Sequence, residues 1–438
     1  MNRFSRLAMT GLGVLSVALL EACGADSARE STQDLPTPTL WQLPPAFTQT
    51  RTATATFTAS PEVSATPTLP PDQKMPAPAL ITAGWNHNCA ITAEDGVICW
   101  GSNDNGQLGD GSRTDRNGPV NVKELTVRAV AVTAGWGHTC VLTVEGGVKC
   151  WGRNKYGELG DGTTQRSSRP VDVSGLTSGV AAIAAGDDHT CAVTTQGAVK
   201  CWGYNNFGQL GDGTYETRNT PVDVSRLTGG TTAVAAGAAH TCAWTVRGEV
   251  MCWGNNELGQ LGDGSEAPSR ATPDVVSGLT EGIAALTAKG AHTCILTETG
   301  GIQCWGQNKY GQLGDGTAQN QFSPVKVTGL EDSASIVAAG WNQTCGVLIR
   351  GALKCWGWNF YGQLGEGSTA NRRQPVDVKG LTGKTVAVSG GGGHTCALLE
   401  DGTVYCWGLN ANGQLGDRTN LDSSLPMKVN GISLPGGE

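Results

Sequence analysis

The sequence predicts an all-β protein, a seven-bladed β-propeller with four-stranded blades, preceded by a disordered stalk. Three observations predict it. The tripeptide Cys-Trp-Gly recurs with its cysteine at 99, 150, 201, 252, 304, 355 and 406, in steps of 51, 51, 51, 52, 51 and 51 residues. A fixed period near 50 residues marks propellers and related repeat arrays. Each unit also carries short β-branched or alternating runs bounded by glycine turns, with no helical period. Four such runs per unit and seven units make the propeller.

The third unit shows the elements in order. "VAAIAAG" (180–186) is small and apolar. It belongs innermost, where blades converge on the axis and large side chains do not fit. "HTCAVT" and "AVKCWG" follow as a hairpin around a glycine turn, and "YNNFGQLGDGT" is a loop. "PVDV" (221–224) belongs outermost, because proline is tolerated on an edge strand. The outer run leaves one ambiguity. If it pairs onto the following unit, "PMKV" (426–429) completes blade 1 and clasps the ring. If it closes its own unit, no strand is exchanged. The clasp is the favoured expectation.

Fourteen of the 15 cysteines form seven pairs at one spacing. In "HTCALLEDGTVYCWG" (394–408), a three-residue turn at 400–402 places Cys396 opposite Cys406. Directly opposed antiparallel residues have Cα atoms ~4.5–5.5 Å apart, within disulfide reach. Repeat symmetry selects pairing inside each hairpin: Cys89–Cys99, Cys140–Cys150, Cys191–Cys201, Cys242–Cys252, Cys294–Cys304, Cys345–Cys355 and Cys396–Cys406. Zinc sites favour shorter ligand spacing and more thiols, and no redox C-x-x-C occurs.

"AAGDDHTCAV", "CWGYNNFGQLGDGT" and their copies resemble the repeats of the regulator of chromosome condensation family. The resemblance covers the whole chain after the stalk and implies a seven-bladed propeller. The cysteine pairs depart from the eukaryotic prototype. Guanine-nucleotide exchange, the prototype's activity, would require a cytosolic GTPase, and no residue here matches an exchange site beyond the shared scaffold.

The N-terminus reads as an export signal. Arg3 and Arg6 precede an apolar run from Leu7 to Leu20, too short and interrupted for a membrane span. "LEAC" (20–23) resembles the lipobox of bacterial lipoproteins, with Glu21 an unusual residue at its −2 position. Residues 1–22 are then a lipoprotein-type signal peptide, and Cys23 is the lipidation site. Lipidation also accounts for the odd fifteenth cysteine. Residues 23–78 form a lipid-anchored, Thr/Pro-rich stalk that cannot bury a core. Residues 79–438 are the propeller. The expected location is the bacterial cell surface or periplasm, with the membrane met only through the anchor.

Charged residues are 16% of the chain and the net charge is −8, which argues against a nucleic-acid partner. Six histidines (His87, His138, His189, His240, His292, His394) share one repeat position, and the seventh copy has Gln343. One per blade reads as structural hydrogen bonding to a backbone group at a strand entrance. Each Gly-Asp-Gly turn offers one carboxylate, such as Asp212, too few for calcium. The Cys-Trp-Gly tryptophans, such as Trp202, belong between blades. No metal, cofactor or enzyme is expected.

Function in a repeat protein lies where copies disagree. The two positions before the histidine vary most and share a face with the Cys-Trp-Gly-x-Asn loops. Trp85, Asn86, Trp136, Trp341 and Asn342 lie there, with Arg153, Trp358 and Phe360 from neighbouring loops. Gly392 and Gly393 of blade 7 are expected to leave a recess between the tryptophans. Aromatic and arginine side chains on one arc suit a protein interface. The predicted function is therefore a monomeric, surface-tethered, non-enzymatic protein-binding module (receptor, adaptor or enzyme inhibitor). A lectin binding a surface glycan is the alternative.

Overall fold

In a computed structural model, residues 80–94, 96–330, 333–432 and 434 are described. The expected leader, Cys23 and the stalk lie outside them. The described chain is all-β: seven four-stranded antiparallel sheets arranged as a seven-bladed propeller. The inner strands are Ile81–Ala83, Ala129–Ala134, Val180–Ala185, Thr231–Ala236, Ile283–Lys289, Ala334–Ala339 and Thr385–Gly390. They surround a central channel. Their Ala, Val and Thr residues fit the narrow axis, as expected. The proline-bearing strands, such as Arg218–Asp223, lie at the outer edge.

The strand clasp does not form. Every blade is built from four consecutive strands, and Ser423–Lys428 pairs with Val404–Gly408 of its own unit. The reason is local. The connection after Cys-Trp-Gly folds back so that, in each unit, the outer strand's end bonds the start of its own third strand, as in Val224 N to Val199 O at 2.9 Å.

Closure rests instead on loop contacts, which at the closing joint include the backbone bonds Gly392 N to Trp85 O at 2.9 Å and Arg418 N to Asn117 O at 2.7 Å, and all seven joints share one side-chain-to-backbone network. The Gly-Gln-Leu-Gly loop of one blade reaches the next, where its Gln carbonyl accepts two bonds. At the first joint Gln107 O accepts from the Trp151 indole at 2.8 Å and the Thr139 hydroxyl at 2.9 Å. At the second, the carbonyl is that of Glu158, with Trp202 at 2.8 Å and Thr190 at 3.1 Å. At the closing joint Gln414 O accepts from Trp100 at 3.0 Å and from Asn88 at 2.8 Å, so asparagine stands in for threonine. The loop's second glycine is required here. A Cβ on Gly160 would lie 2.7 Å from the Trp202 indole nitrogen, and its φ is +68°. All seven of these tryptophans are fully buried.

The histidines complete six of the seven joints. His138 Nε2 lies 2.9 Å from the Thr190 hydroxyl, which already gives its proton to Glu158 O. The ring must therefore donate from Nε2, leaving Nδ1 unprotonated. Its partner is thus a side chain of the next blade rather than the backbone group expected. Gln343 alone meets backbone, donating to Gly391 O at 3.2 Å and His394 O at 3.1 Å.

Burial pushes these imidazoles down to about 3, and His292 to about 4. No acceptor faces Nδ1 in any of the six. The sign follows from linkage. Between the unfolded value near 6.5 and the folded value, the unfolded chain binds more protons. Stability is complete above pH ~6.5 and falls as pH drops towards 3. The urea midpoint should therefore decline between pH 6.5 and 4.5, the six histidines outnumbering the two raised carboxyls, Glu158 and Asp187, that act in the opposite sense. A flat midpoint across that window would contradict this account.

The seven disulfides form as paired above, each across directly opposed residues with Cα atoms 4.1 Å apart. All fourteen cysteines are buried.

Candidate functional face

The strand-entrance turns and the Cys-Trp-Gly loops do share a face, and the repeat-breaking side chains meet there. Ring closure brings blades 6 and 1 over blade 7. Trp85 and Trp341 contact edge to face, with ring centroids 4.2 Å apart. The recess expected at the blade 7 glycines is filled. A Cβ on Gly392 would lie 2.7 Å from Trp85 O and 3.0 Å from its indole, while Gly393 lies under Tyr361 and Leu409. The glycines are small because aromatic rings lie against them.

Trp341 also crosses the channel mouth. Its indole N–H donates to Asp187 of blade 3 at 3.2 Å. Burial raises the Asp187 carboxyl above its ordinary value, with the indole bond, Lys289 and Arg153 opposing. Trp85 and Trp341 are half-buried members of a cap over the channel.

A cavity of about 270 Å³ lies beside this cap, between Trp85, Trp136, Trp341, Arg153, Asp187 and Asp188. Arg153 fills one side. Its guanidinium stacks over Trp136 at 4.8 Å and Tyr156 at 5.1 Å, and pairs with Asp188 and with Glu158 at 3.2 Å. Glu158 stands where the other six loops have glutamine. Burial raises its carboxyl, with Arg153 among the groups opposing. Arg153 and Glu158 are thus a matched departure from the repeat. Trp136 remains 39% exposed.

Trp358 and Phe360 form a second patch. Their rings stack with centroids 6.5 Å apart and planes at 11°. Tyr361 packs edge-on against both, and Tyr310 of blade 5 extends the patch at 5.9 Å from Trp358. Phe360 is 66% exposed. The asparagines serve the framework. Asn86 Oδ1 accepts from Gln414 Nε2 at 3.4 Å, and buried Asn342 Oδ1 accepts from Gln312 Nε2 at 3.3 Å. The candidates therefore divide into a packed pair (Trp85, Trp341), framework residues (Asn86, Asn342) and accessible groups (Trp136, Arg153, Trp358, Phe360).

Sequence reading missed Tyr156, Phe207, Tyr310 and Tyr361. All four precede the first glycine of their Gly-Gln/Glu-Leu-Gly loop, where the other three blades have Asn105, Leu258 and Asn412. That alternation was a readable signal. It also missed Lys289, which occupies a position held by glycine in every other blade.

The Gly-Asp-Gly carboxylates are turn-formers. Asp212 accepts from Thr214 N at 2.9 Å, from the Thr214 hydroxyl at 2.8 Å and from Arg218 at 3.3 Å. These bonds outweigh desolvation and hold it below the usual carboxylate range. Among the described residues, no group of three or more His, Cys, Asp or Glu converges as metal ligands would.

Residues 175–436 match the RCC1-like domain family. Residues 94–142 and 145–193 match the regulator of chromosome condensation (RCC1) repeat, as do 79–107 and 129–158 in a second repeat family of that name. The chain is 35% identical over 363 residues to the ultraviolet-B receptor UVR8 of Arabidopsis thaliana, covering 82% of each chain. It is 30% identical over 375 residues to the secretion-regulating guanine nucleotide exchange factor of Bos taurus, covering 78% of this chain and 80% of that one. Among solved structures, human WBSCR16 is similar with a TM-score of 0.66 at 25% identity, covering 76% of this chain and 88% of the other.

Proposed function

Because the chain belongs to the regulator of chromosome condensation repeat family, whose scaffold also builds a receptor and an exchange factor, we propose that it is a non-enzymatic module that grips another protein. One observation carries this reading. The face where the blades depart from their consensus exposes Trp136 and Phe360, backed by Arg153, Trp358 and a ring of tyrosines. Rigid aromatic side chains beside arginine are the residue types that dominate protein-binding hot spots.

Tethering is part of the proposal. Residues 1–22 would direct export, Cys23 would carry lipid, 23–78 would be the stalk and 79–438 the binding head. Seven disulfides fit an oxidising compartment outside the cytoplasm. Exchange on a cytosolic GTPase fits that compartment poorly. A glycan ligand is the second reading, favoured by the stacked Trp358 and Phe360 platform.

The test is affinity capture with the full chain, beside a Trp136→Ala/Phe360→Ala variant. Both side chains are exposed, so the melting temperature should hold while capture falls at least ~100-fold, as for two hot-spot residues. Undiminished capture would reject this face. Displacement of the captured material by soluble sugars would replace the protein reading with the glycan one.

A further inference from the structure

The innermost surface is uniform except in one blade. Three residues before the histidine position stand Gly84, Gly135, Gly186, Gly237, Gly340 and Gly391, but blade 5 has Lys289. The glycines are there for a steric reason. A Cβ on any of the five that precede histidine would lie 2.1–2.4 Å from that ring, and on Gly340 it would lie 2.6 Å from Gln343. Blade 5 escapes by extending its inner strand through Lys289, which pairs with His292, and turning at Gly290 with φ +53°. The strand is rebuilt around one lysine.

That lysine lines the central channel, a cavity of about 610 Å³. The volume lies within the ~300–1,000 Å³ of small-molecule sites. The wall is apolar, with Ile183, Val234 and Leu286 among its larger residues, and Lys289 is its one charged side chain among the described residues. The wall hydroxyls of Thr133, Thr287 and Ser389 already accept bonds from Ala185 N, Ala339 N and Ala83 N of neighbouring inner strands. Lys289 reaches across to the Ala83 carbonyl of blade 1. An ammonium has three donors, and this bond occupies one. Lys289 ends its inner strand beside Gly290, which packs against the Trp341 carbonyl, so the charge sits at the capped end of the channel where Trp341 reaches Asp187.

We propose that the channel is a binding site for an amphipathic monocarboxylate of the fatty-acid class, its chain along the apolar wall and its carboxylate on Lys289 beneath the cap. An apolar tube with one cation at a capped end matches a ligand with one anionic head and an apolar tail. A phosphate would need more donors than one ammonium supplies. Asp187 acts electrostatically on the same ammonium and opposes the incoming carboxylate, which sets the sign of one test. This site lies beneath the cap and uses none of the exposed side chains, Trp136 and Phe360, on which the proposed protein-binding role rests.

The probe is dodecanoate below its micelle concentration, titrated calorimetrically into the full chain at neutral pH. Two variants accompany it. Lys289→Gly restores the residue of the other six blades and should fold. Asp187→Asn keeps an acceptor for the Trp341 indole while removing the competing charge. Saturable binding is expected in the wild type. Lys289→Gly should weaken it at least ~10-fold, the loss of one charge-assisted bond. Asp187→Asn should tighten it, and dodecyltrimethylammonium should not bind. The proposal is overturned if the wild type takes up no dodecanoate, if Lys289→Gly binds it equally well, or if the ammonium amphiphile binds as tightly.

Discussion

Trp202→Ala is expected to destabilise the ring by about 3–5 kcal/mol, the range for truncating a fully buried tryptophan. Trp202 belongs to blade 3 but packs in the core of blade 2, against Leu142, Val148, Leu159 and the Cys140–Cys150 disulfide. Removing it empties a joint rather than a blade. The Glu158 carbonyl keeps its bond from Thr190, so the loss is packing plus one hydrogen bond, without an orphaned acceptor. Equilibrium urea unfolding with disulfides intact measures it. A loss below ~1 kcal/mol would mean that the joints relax independently, against the contacts described. Any of the six equivalent tryptophans should behave alike, including Trp100 at the closing joint, where a strand clasp would have shared the burden.

The second large effect concerns reduction. Thiolate attack on a disulfide requires access to sulfur. All fourteen cysteines are buried, so reductant alone should leave the seven bonds intact. In denaturant the bonds should break together, and the reduced chain should unfold at a markedly lower urea midpoint. One pair, Cys191→Ala/Cys201→Ala, should cost less than the ~2.5–3 kcal/mol that loop entropy assigns to a closure this short, because the hairpin register already holds the two strands. Alkylation and mass measurement follow the bonds. Prompt reduction of the native protein, or an unchanged midpoint once reduced, would show that the sulfurs neither hide nor hold.

Much of this architecture was legible because it repeats. A period of about 51 residues, a cysteine pair spanning a turn and a proline-bearing edge run place the strands and disulfides without long-range information. The outer strand's partner was not legible. "PVDV" could satisfy its bonds on either neighbouring sheet, and only the path of the Gly-Gln-Leu-Gly loop decides between them. The Trp85–Trp341 contact was hidden for a similar reason, since 256 residues separate them and ring closure alone unites them. Lys289 escaped notice because variation was sought at the two positions before histidine, one residue short of it. The accessible aromatics were half-legible. Trp136, Arg153, Trp358 and Phe360 stood out as departures, whereas the supporting tyrosines looked like consensus loop residues until their rings were seen to touch.

The absence of a clasp has a genetic consequence. Each blade is a contiguous stretch of chain, and every joint is made by a forward-reaching loop that meets a tryptophan and a hydroxyl or amide side chain. Among the described residues, no strand is shared between the first and last units. A tandem duplication in the coding sequence that starts at an inner strand would therefore insert a complete blade with both its contacts already encoded. A deletion of the same span would remove one without leaving a broken sheet. Blade number is then open to change one unit at a time, and what opposes such change is the curvature of the ring rather than any strand that must find its partner at the far end of the chain.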